Sequence, residues 1–337
     1  MLETQRIKAL KEAFRWYYFN RKDELVPPTE IEKREFGYRD FNGLMIRHIQ
    51  LKTQGELSAL ALKVVPRSIY YSVSYYSDPT APMEEKGRLG SDLVFDIDLK
   101  DVSKSYTKYS FWVCSVCHAV GPGPAPNSCP QCASKQTREI VWACRECINE
   151  VRQAAVSLGE MLQNDFGLSA SEISTYFSGN NGFHLHVDSK KFYTLSARER
   201  GEISDYIRGT GFVSKIYLLN VPEQAKRTIS ERKHISIDPQ VTIDVSRIFR
   251  LPGSLHDESG LEKKLCKHIE SCDPLTDAIG LQEDPFSLRV YYSPEFTLNE
   301  KKFGPYKMED VKLPTYAAVY LMAKDLADPF LKGYNFL

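Results

Sequence analysis

Residues 92–100 read Asp92-Leu-Val-Phe-Asp96-Ile-Asp98-Leu-Lys100. Side chains alternate across a β-strand. Leu93, Phe95, Ile97 and Leu99 therefore share one face and can pack on a core. Asp96 and Asp98 share the other, with Asp92 and Lys100 farther out along it. Two neighbouring carboxylates repel each other unless a cation lies between them. Mg²⁺ prefers oxygen ligands and is usually held by one or two carboxylates together with substrate phosphates. A solvated acidic pair on an exposed strand is the plainer reading. The apolar face fixes the pair on a rigid element and favours the metal.

Working outward, residues 5–19 carry a helical apolar pattern, and 43–51 and 68–73 read as strands rich in β-branched and aromatic residues. Downstream, Ile148, Val151, Ala155, Leu158 and Leu162 recur at helical spacing, with Gly167 placed to cap the end. Residues 173–177 and 183–187 are strand-like and are joined by Ser178-Gly-Asn-Asn-Gly182, whose Asn-Gly step suits a hairpin turn. A further helix is expected over 197–208, and a strand-to-helix passage over 241–249, ended by Pro252. The 337-residue chain carries 44 basic and 44 acidic residues, a balance that argues against a dedicated nucleic-acid binder. It does not exclude an enzyme whose acidic metal site offsets a basic groove. No apolar run approaches ~18 residues, and the charged N-terminus is unlike a secretory signal, so a soluble, cytoplasmic protein is expected.

Three further segments carry chemistry. In the hairpin, His184 and His186 alternate and face the same way. Backbone N–H groups near residues 178–182 can form a concavity for phosphate oxygens, beside a protonated imidazole or a ring N–H. In residues 237–260, IDPQVTIDVSRIFRLPGSLHDESG, Arg250 offers a planar fork to phosphate, and Ser254 and His256 add donors. Asp238 and Asp244 compete for the role of third carboxylate, and the residues alone leave that choice open. Cys114, Cys117, Cys129 and Cys132 form CxxC-x11-CxxC, a spacing that suits tetrahedral Zn²⁺. The pair Cys144 and Cys147 follows after the same gap and is read as spare, at the start of a helix. Cys266 and Cys272, with His268 between them, are read as free thiols.

Taken in order, REFGY (34–38), LMIRH (44–48), SDLVFDIDLKD (91–101), the cysteine insert, SGNNGFHLHV (178–187) and DPQVTIDVSRIFRLPGSLH (238–256) resemble the archaeo-eukaryotic DNA primase family, in its archaeal catalytic small subunit. The resemblance implies a mixed α/β, primase-type catalytic core with mixed sheets flanked by helices and an inserted zinc knuckle. It implies that Asp96, Asp98 and Asp238 are the metal-binding acids. Ser178, Gly179, Asn180 and His184 match the triphosphate-binding hairpin, and Arg250 and His256 the basic residues that hold the triphosphate. Glu35 and Arg47 match a pair near the incoming nucleotide. Cys114, Cys117, Cys129 and Cys132 match a structural zinc knuckle. Two departures remove positive charge. Asn180 stands where the family usually has Arg, and Asp257-Glu258 where Gly-Lys is common. Either nucleotide affinity is lower in this chain, or another cation such as Lys100 or Lys233 substitutes.

The expected organisation follows. Residues 1–110 and 148–265 make the catalytic core, 111–147 the zinc-knuckle insert, and 266–337 a segment without an assigned role. The expected activity is template-directed synthesis of short primers from NTPs or dNTPs by two-metal nucleotidyl transfer. Mg²⁺ or Mn²⁺ would be catalytic and Zn²⁺ structural. The partners would be the primase large subunit and a single-stranded DNA template. A primase-polymerase of a mobile element or repair system is the nearest alternative, and a non-catalytic zinc-dependent nucleic-acid-binding module a more distant one.

Overall fold

A computed structural model of the protein describes residues 2–102, 106–210 and 234–330. Lys233 lies outside them. The chain opens with helix α1 (Leu2–Asn20), strands β1 (Arg34–Arg39) and β2 (Met45–Gln50), and helix α2 (Gln54–Val64). Strands β3 (Ser68–Tyr76), β4 (Arg88–Ser91) and β5 (Leu93–Asp98) and the short helices α3 (Leu99–Val102) and α4 (Tyr106–Tyr109) follow. The cysteine insert holds β6 (Phe111–Cys114), β7 (Val120–Pro122) and β8 (Thr137–Ile140). Next come α5 (Arg145–Phe166), β9 (Ile173–Phe177), β10 (Gly182–Val187), α6 (Ala197–Arg208), α7 (Pro239–Ile243), β11 (Ile248–Arg250) and β12 (Lys264–Leu265). The C-terminal part contains α8 (Pro274–Asp277), β13 (Pro285–Ser293), β14 (Phe296–Leu298), β15 (Lys301–Phe303), β16 (Tyr306–Pro314), α9 (Thr315–Ala323) and β17 (Ala327–Pro329).

Two antiparallel sheets hold the centre. One has the order β11-β3-β1-β2, with β4 also on β3; the other runs β12-β9-β10-β5. In β5, Leu93, Phe95 and Ile97 are fully buried, and they oppose Val187, Leu185 and Phe183 of β10. Helix α5 covers this apolar face with its stripe of Ile148, Val151, Ala155, Leu158 and Leu162. Each large side chain buried in this way contributes roughly 1.5–3 kcal/mol. The opposite face of β5–β10 meets the first sheet through Phe249 of β11, whose ring lies 4.8 Å from that of His184 and 5.4 Å from that of His186.

The strand at Asp96, the long amphipathic helix, the SGNNG hairpin and α6 lie where the pattern placed them. Three local expectations differ. The strand ends at Asp98, so Lys100 sits in α3. Asp92 turns away from the acidic pair: its carboxylate accepts from Arg34 at 2.6 Å and from the Tyr75 hydroxyl at 2.8 Å. The passage at 239–250 runs helix to strand rather than strand to helix, because Asp238 caps an α7 that has Pro239 at its first turn.

Cys266 and Cys272, expected as free thiols, form a disulfide, as do Cys144 and Cys147. The turn at Ile269–Ser271 folds the first pair to a Cα separation of 5.6 Å, within the range a disulfide spans. The C-terminal part is built into the body of the protein. Helix α9 is apolar all round and buried all round. Arg6 of α1 ties this region down by pairing with Asp328 at 3.1 Å and Asp325 at 3.2 Å.

Gly182 sits opposite Asp98 in the β5–β10 ladder. A Cβ there would lie 2.3 Å from Asp98 Oδ1 and 2.7 Å from the Ile97 carbonyl oxygen. Gly182→Ala is therefore expected to destabilise the protein by about 1–3 kcal/mol in denaturant unfolding. Gly159→Ala, on a helix surface with nothing within 4 Å, should stabilise it by about 0.5–1 kcal/mol. Equal effects at the two sites would show that the hairpin does not press on the carboxylate strand.

Candidate active site

The two central sheets part around a polar cavity of about 540 Å³. Asp96 and Asp98 of β5, Asp238 at the start of α7, His184 of β10, Ser178 and Asn180 of the hairpin, and Arg250 and His256 all line it. Asp238 reaches the cavity because its backbone N–H donates to the Asp96 carbonyl at 3.0 Å, which pins the α7 N-terminus to the carboxylate strand. Thr242 fastens the same helix by donating to the Val94 carbonyl at 3.1 Å. Asp244 does not line the cavity. It closes a local turn by accepting from the Ser246 N–H at 2.9 Å and hydroxyl at 2.6 Å.

The three acids crowd one another. Burial first, then the charges of Asp98 and Asp238, raise Asp96 well above the usual carboxylate range. Burial, then Asp101, push Asp98 up to about 6. Asp96 Oδ1 is buried without a hydrogen-bond partner, although His184 Nε2 stands 3.3 Å away. An orphaned carboxylate oxygen among converging carboxylates is an all-oxygen donor set, which fits a hard divalent cation. The set is looser than the cysteine cluster. Among the described residues, only the four cysteines close their ligand atoms to within 4.8 Å of one another.

The surroundings of both site histidines favour the neutral ring. Burial, then the Lys263 ammonium, hold His184 well below the usual imidazole range. Burial, then Arg250, do the same to His256. The protonated imidazole considered for the hairpin is therefore replaced by a neutral ring. The Glu258 N–H donates to His256 Nδ1 at 3.0 Å, which leaves the ring proton on Nε2 as a donor. His186 is engaged by the Tyr71 hydroxyl at 3.2 Å and by Lys263 Nζ at 3.0 Å, and does not line the cavity.

Part of the expected cup of amides is closed on itself. The Gly182 and Asn180 N–H groups both donate to Ser178 Oγ, at 3.1 and 3.4 Å, while the Ser178 hydroxyl hydrogen remains a donor beside the cavity. Gly179 adopts φ +95°, and a Cβ on it would lie 2.9 Å from His256 Cβ, so only glycine lets the two segments meet. Arg250 Nη1 donates to Ser68 Oγ at 2.5 Å, and its Nε has no partner. Asp257 is neutralised on the spot by Arg39 at 2.9 Å and Arg250 at 3.4 Å. Glu35 and Arg47 pair bidentately at 2.8 and 3.1 Å outside the cavity. Arg47 also donates to the carbonyl of Ser246, the neighbour of the lining residue Arg247, at 3.2 Å.

Several lining residues fall outside the quoted motifs. Arg39, Arg138 and Lys324 join Lys100, Arg247 and Arg250 to give six cations, against the six acids Asp96, Asp98, Glu139, Asp238, Asp257 and Glu258. Arg138 and Glu139 come from β8 of the cysteine insert, which therefore forms part of the wall. In that insert, Cys114 and Cys132 sulfurs stand 3.6 Å apart, as do those of Cys117 and Cys129. Four thiolates around one tetrahedral Zn²⁺ would be separated by about 3.8 Å, so the cluster can hold an ion.

A family model described as DNA primase small subunit matches residues 129–264. The DNA primase small subunit PriS of Nitrosopumilus maritimus is 36% identical over 97% of this chain and 99% of its own length. This chain belongs to the DNA primase small subunit family. The PriS of Cenarchaeum symbiosum is 34% identical over 94% of this chain and 97% of its own. That of Saccharolobus solfataricus is 33% identical over 96% of each. The polymerase domain of Mycobacterium tuberculosis ligase D in complex with DNA overlays with a TM-score of 0.42 at 13% identity, covering 78% of this chain and 83% of its own; the likeness is too loose to add to the assignment. The protein is thus the catalytic, nucleotidyltransferase subunit of an archaeal-type replicative primase. Metal-dependent catalysis, a primase partner, and DNA and nucleotide substrates come with that family. Among the described residues, no helix is long and apolar enough to cross a membrane.

The crowding has a measurable consequence for this primase subunit. An acid whose pKa is higher folded than unfolded loses folding stability as pH rises from its unfolded value, near 4, through its folded value. For Asp98 that window ends at about 6, so above it the whole of Asp98's own contribution to the strain of the cation-free site is present. Asp98→Asn should therefore raise the Tm at pH 7.5, in buffer without added divalent cation, by roughly 2–4 °C per kcal/mol of relieved repulsion. It should also remove the Tm gain that Mg²⁺ or Mn²⁺ gives the wild type. A lower Tm in the cation-free variant would mean that the acids are not in conflict.

Proposed function

We propose that this subunit joins nucleotides on a single-stranded DNA template by attack of a 3′-hydroxyl on the α-phosphorus of an NTP or dNTP, with pyrophosphate leaving, at Asp96, Asp98 and Asp238. The observation that carries this reading is that three acids from two elements meet in one cavity, facing donors from two other segments. Asp96 and Asp98 are two residues apart on a strand braced by a buried face, and Asp238 is brought to them by a backbone hydrogen bond. These three would hold Mg²⁺ or Mn²⁺. When bound, the ions supply the positive charge that stabilises the attacking and leaving oxygens.

The remaining residues orient the substrate. Arg250 presents a guanidinium whose Nε is unused, His256 a ring N–H, and Ser178 a hydroxyl, toward the nucleotide's triphosphate. His184 stays neutral beside Asp96, so it does not compete with a metal for the carboxylate charge. Gly179 and Asn180 shape the turn, and Glu35 and Arg47 brace the cavity wall from outside. We assign Zn²⁺ to Cys114, Cys117, Cys129 and Cys132, in a structural role within residues 111–147. Residues 1–110 and 148–265 form the catalytic core. A primase large subunit, which in the family assists the first bond, is the proposed partner, and the cytoplasm the proposed location.

Primer synthesis on a single-stranded template tests the assignment. Asp238→Asn should lower kcat by about 10³-fold or more, since a lost metal ligand forfeits several kcal/mol. Asp244→Asn should remain within a few-fold of wild type. The reverse pattern would place the third carboxylate at Asp244. Elemental analysis should return about one zinc per chain. Cys114→Ser or Cys129→Ser should lose it together with thermal stability, whereas retention of zinc in both would remove the cluster from its assigned role.

A further inference from the structure

The hairpin lacks the cation that the resemblance leads one to expect at Asn180, and nothing within the hairpin replaces it. The replacement comes from the far end of the chain. Lys324 follows the last turn of α9, is 4% exposed, and lines the cavity. Its Nζ donates to Asn180 Oδ1 at 3.1 Å and lies 4.7 Å from the centre of the Tyr320 ring. Among the described residues, no carboxylate stands within ion-pair distance of it. A buried ammonium held by a neutral amide and an aromatic face is costly to keep charged unless an anion completes its surroundings. Glu258, the nearest acid to act on it, is instead within reach of the Asn180 amide, at 3.4 Å.

The surrounding structure holds Lys324 in place. Arg138 of β8 pairs with Asp325 at 2.9 Å and also donates to the Lys324 carbonyl. The last buried helix and the cysteine insert thus clamp the residue from both sides. Gly182 is paired with Asp98, so Asn180 and Lys324 stand beyond the acids at the turn of the hairpin. That is the place for the phosphates that leave rather than the one that reacts.

We propose that Lys324 is a substrate-binding residue for the β- and γ-phosphates of the incoming nucleotide, supplying from the C-terminal segment the positive charge that Asn180 does not. Asn180 then acts as its positioning residue, aligning the ammonium through its amide oxygen. The inference rests on the nucleotide-polymerising reading of the cavity, and it gives residues 266–337 a part in substrate binding.

The test uses the full chain with Lys324→Met, Lys324→Arg, Asn180→Arg and the double variant Asn180→Arg/Lys324→Met. Binding of inorganic tripolyphosphate by calorimetry reads the site without catalysis, and KM for the nucleotide reads it during synthesis. Lys324→Met should weaken tripolyphosphate binding and raise KM by about 10–100-fold, the worth of one charge-assisted contact. Inhibition by a nucleoside monophosphate should hardly change. Lys324→Arg should stay within a few-fold of wild type. Asn180→Arg alone should bring no gain, because it places two cations side by side, but it should restore binding in the Lys324→Met background. Unchanged tripolyphosphate binding in Lys324→Met overturns the proposal, as does an equal loss for mono- and triphosphate, or a double variant as weak as the single one. Absence of templated synthesis by the wild type would instead defeat the catalytic reading, while the tripolyphosphate measurement would still judge Lys324.

Discussion

The antiparallel pairing of β5 with β10 is the constraint on which the site depends. Its register sets Asp96 opposite His184 and Asp98 opposite Gly182. A slip of one residue would exchange the two faces of the strand. It would turn both acids into the apolar layer under α5 and Phe95 and Ile97 into the cavity. Burial of Leu93, Phe95 and Ile97 against that helix resists such a slip. One backbone hydrogen bond, from Asp238 to Asp96, then completes the acidic triad. The convergence of the three acids is thus a by-product of sheet register and hydrophobic burial.

Electrostatics explains how a chain of zero net charge can serve a polyanionic substrate. Acids and bases are matched in number around the cavity but segregated by role. Asp96, Asp98 and Asp238 repel one another and call for cations. Asp257 is consumed by Arg39 and Arg250, so the acid after Leu255-His256 does not oppose a phosphate. His184 and His256 remain neutral donors or acceptors. Of the lining cations, Arg247 stands 3.8 Å from Asp238 and Arg250 3.4 Å from Asp257, whereas Lys324, from a distant part of the chain, has no carboxylate within ion-pair distance among the described residues.

Much of this was legible in the residues, where local pattern and burial agree. The period-two alternation of β5, the three-four spacing of α5 and the Asn-Gly turn each reflect a segment whose environment is set by its own neighbours. The passage at 239–250 was misread because β-branched residues there fill a short capped helix, not a strand. The choice between Asp238 and Asp244 was beyond local reasoning, since both cap the same helix from opposite ends. What separates them is a tertiary hydrogen bond that sets Asp238 in the cavity and leaves Asp244 out of it, and it was the family resemblance that favoured Asp238. Arg138 and Lys324 carried no signal at all, because Lys324 reaches Asn180 across 144 residues and Arg138 reaches Lys324 across 186. The Cys266–Cys272 disulfide depends on a local turn at Ile269–Ser271 that spacing does not reveal.

The central claim is that three aspartates, joined by register and one backbone bond, form a single cation site. Anomalous scattering at the manganese edge, from crystals of the protein soaked with Mn²⁺ and a non-hydrolysable nucleoside triphosphate, tests it most directly. An anomalous peak is expected within coordination distance of Asp96, Asp98 and Asp238, with the triphosphate running from it toward Arg250 and the hairpin. Manganese bound away from these carboxylates, or coordinated by Asp244 in place of Asp238, would contradict it.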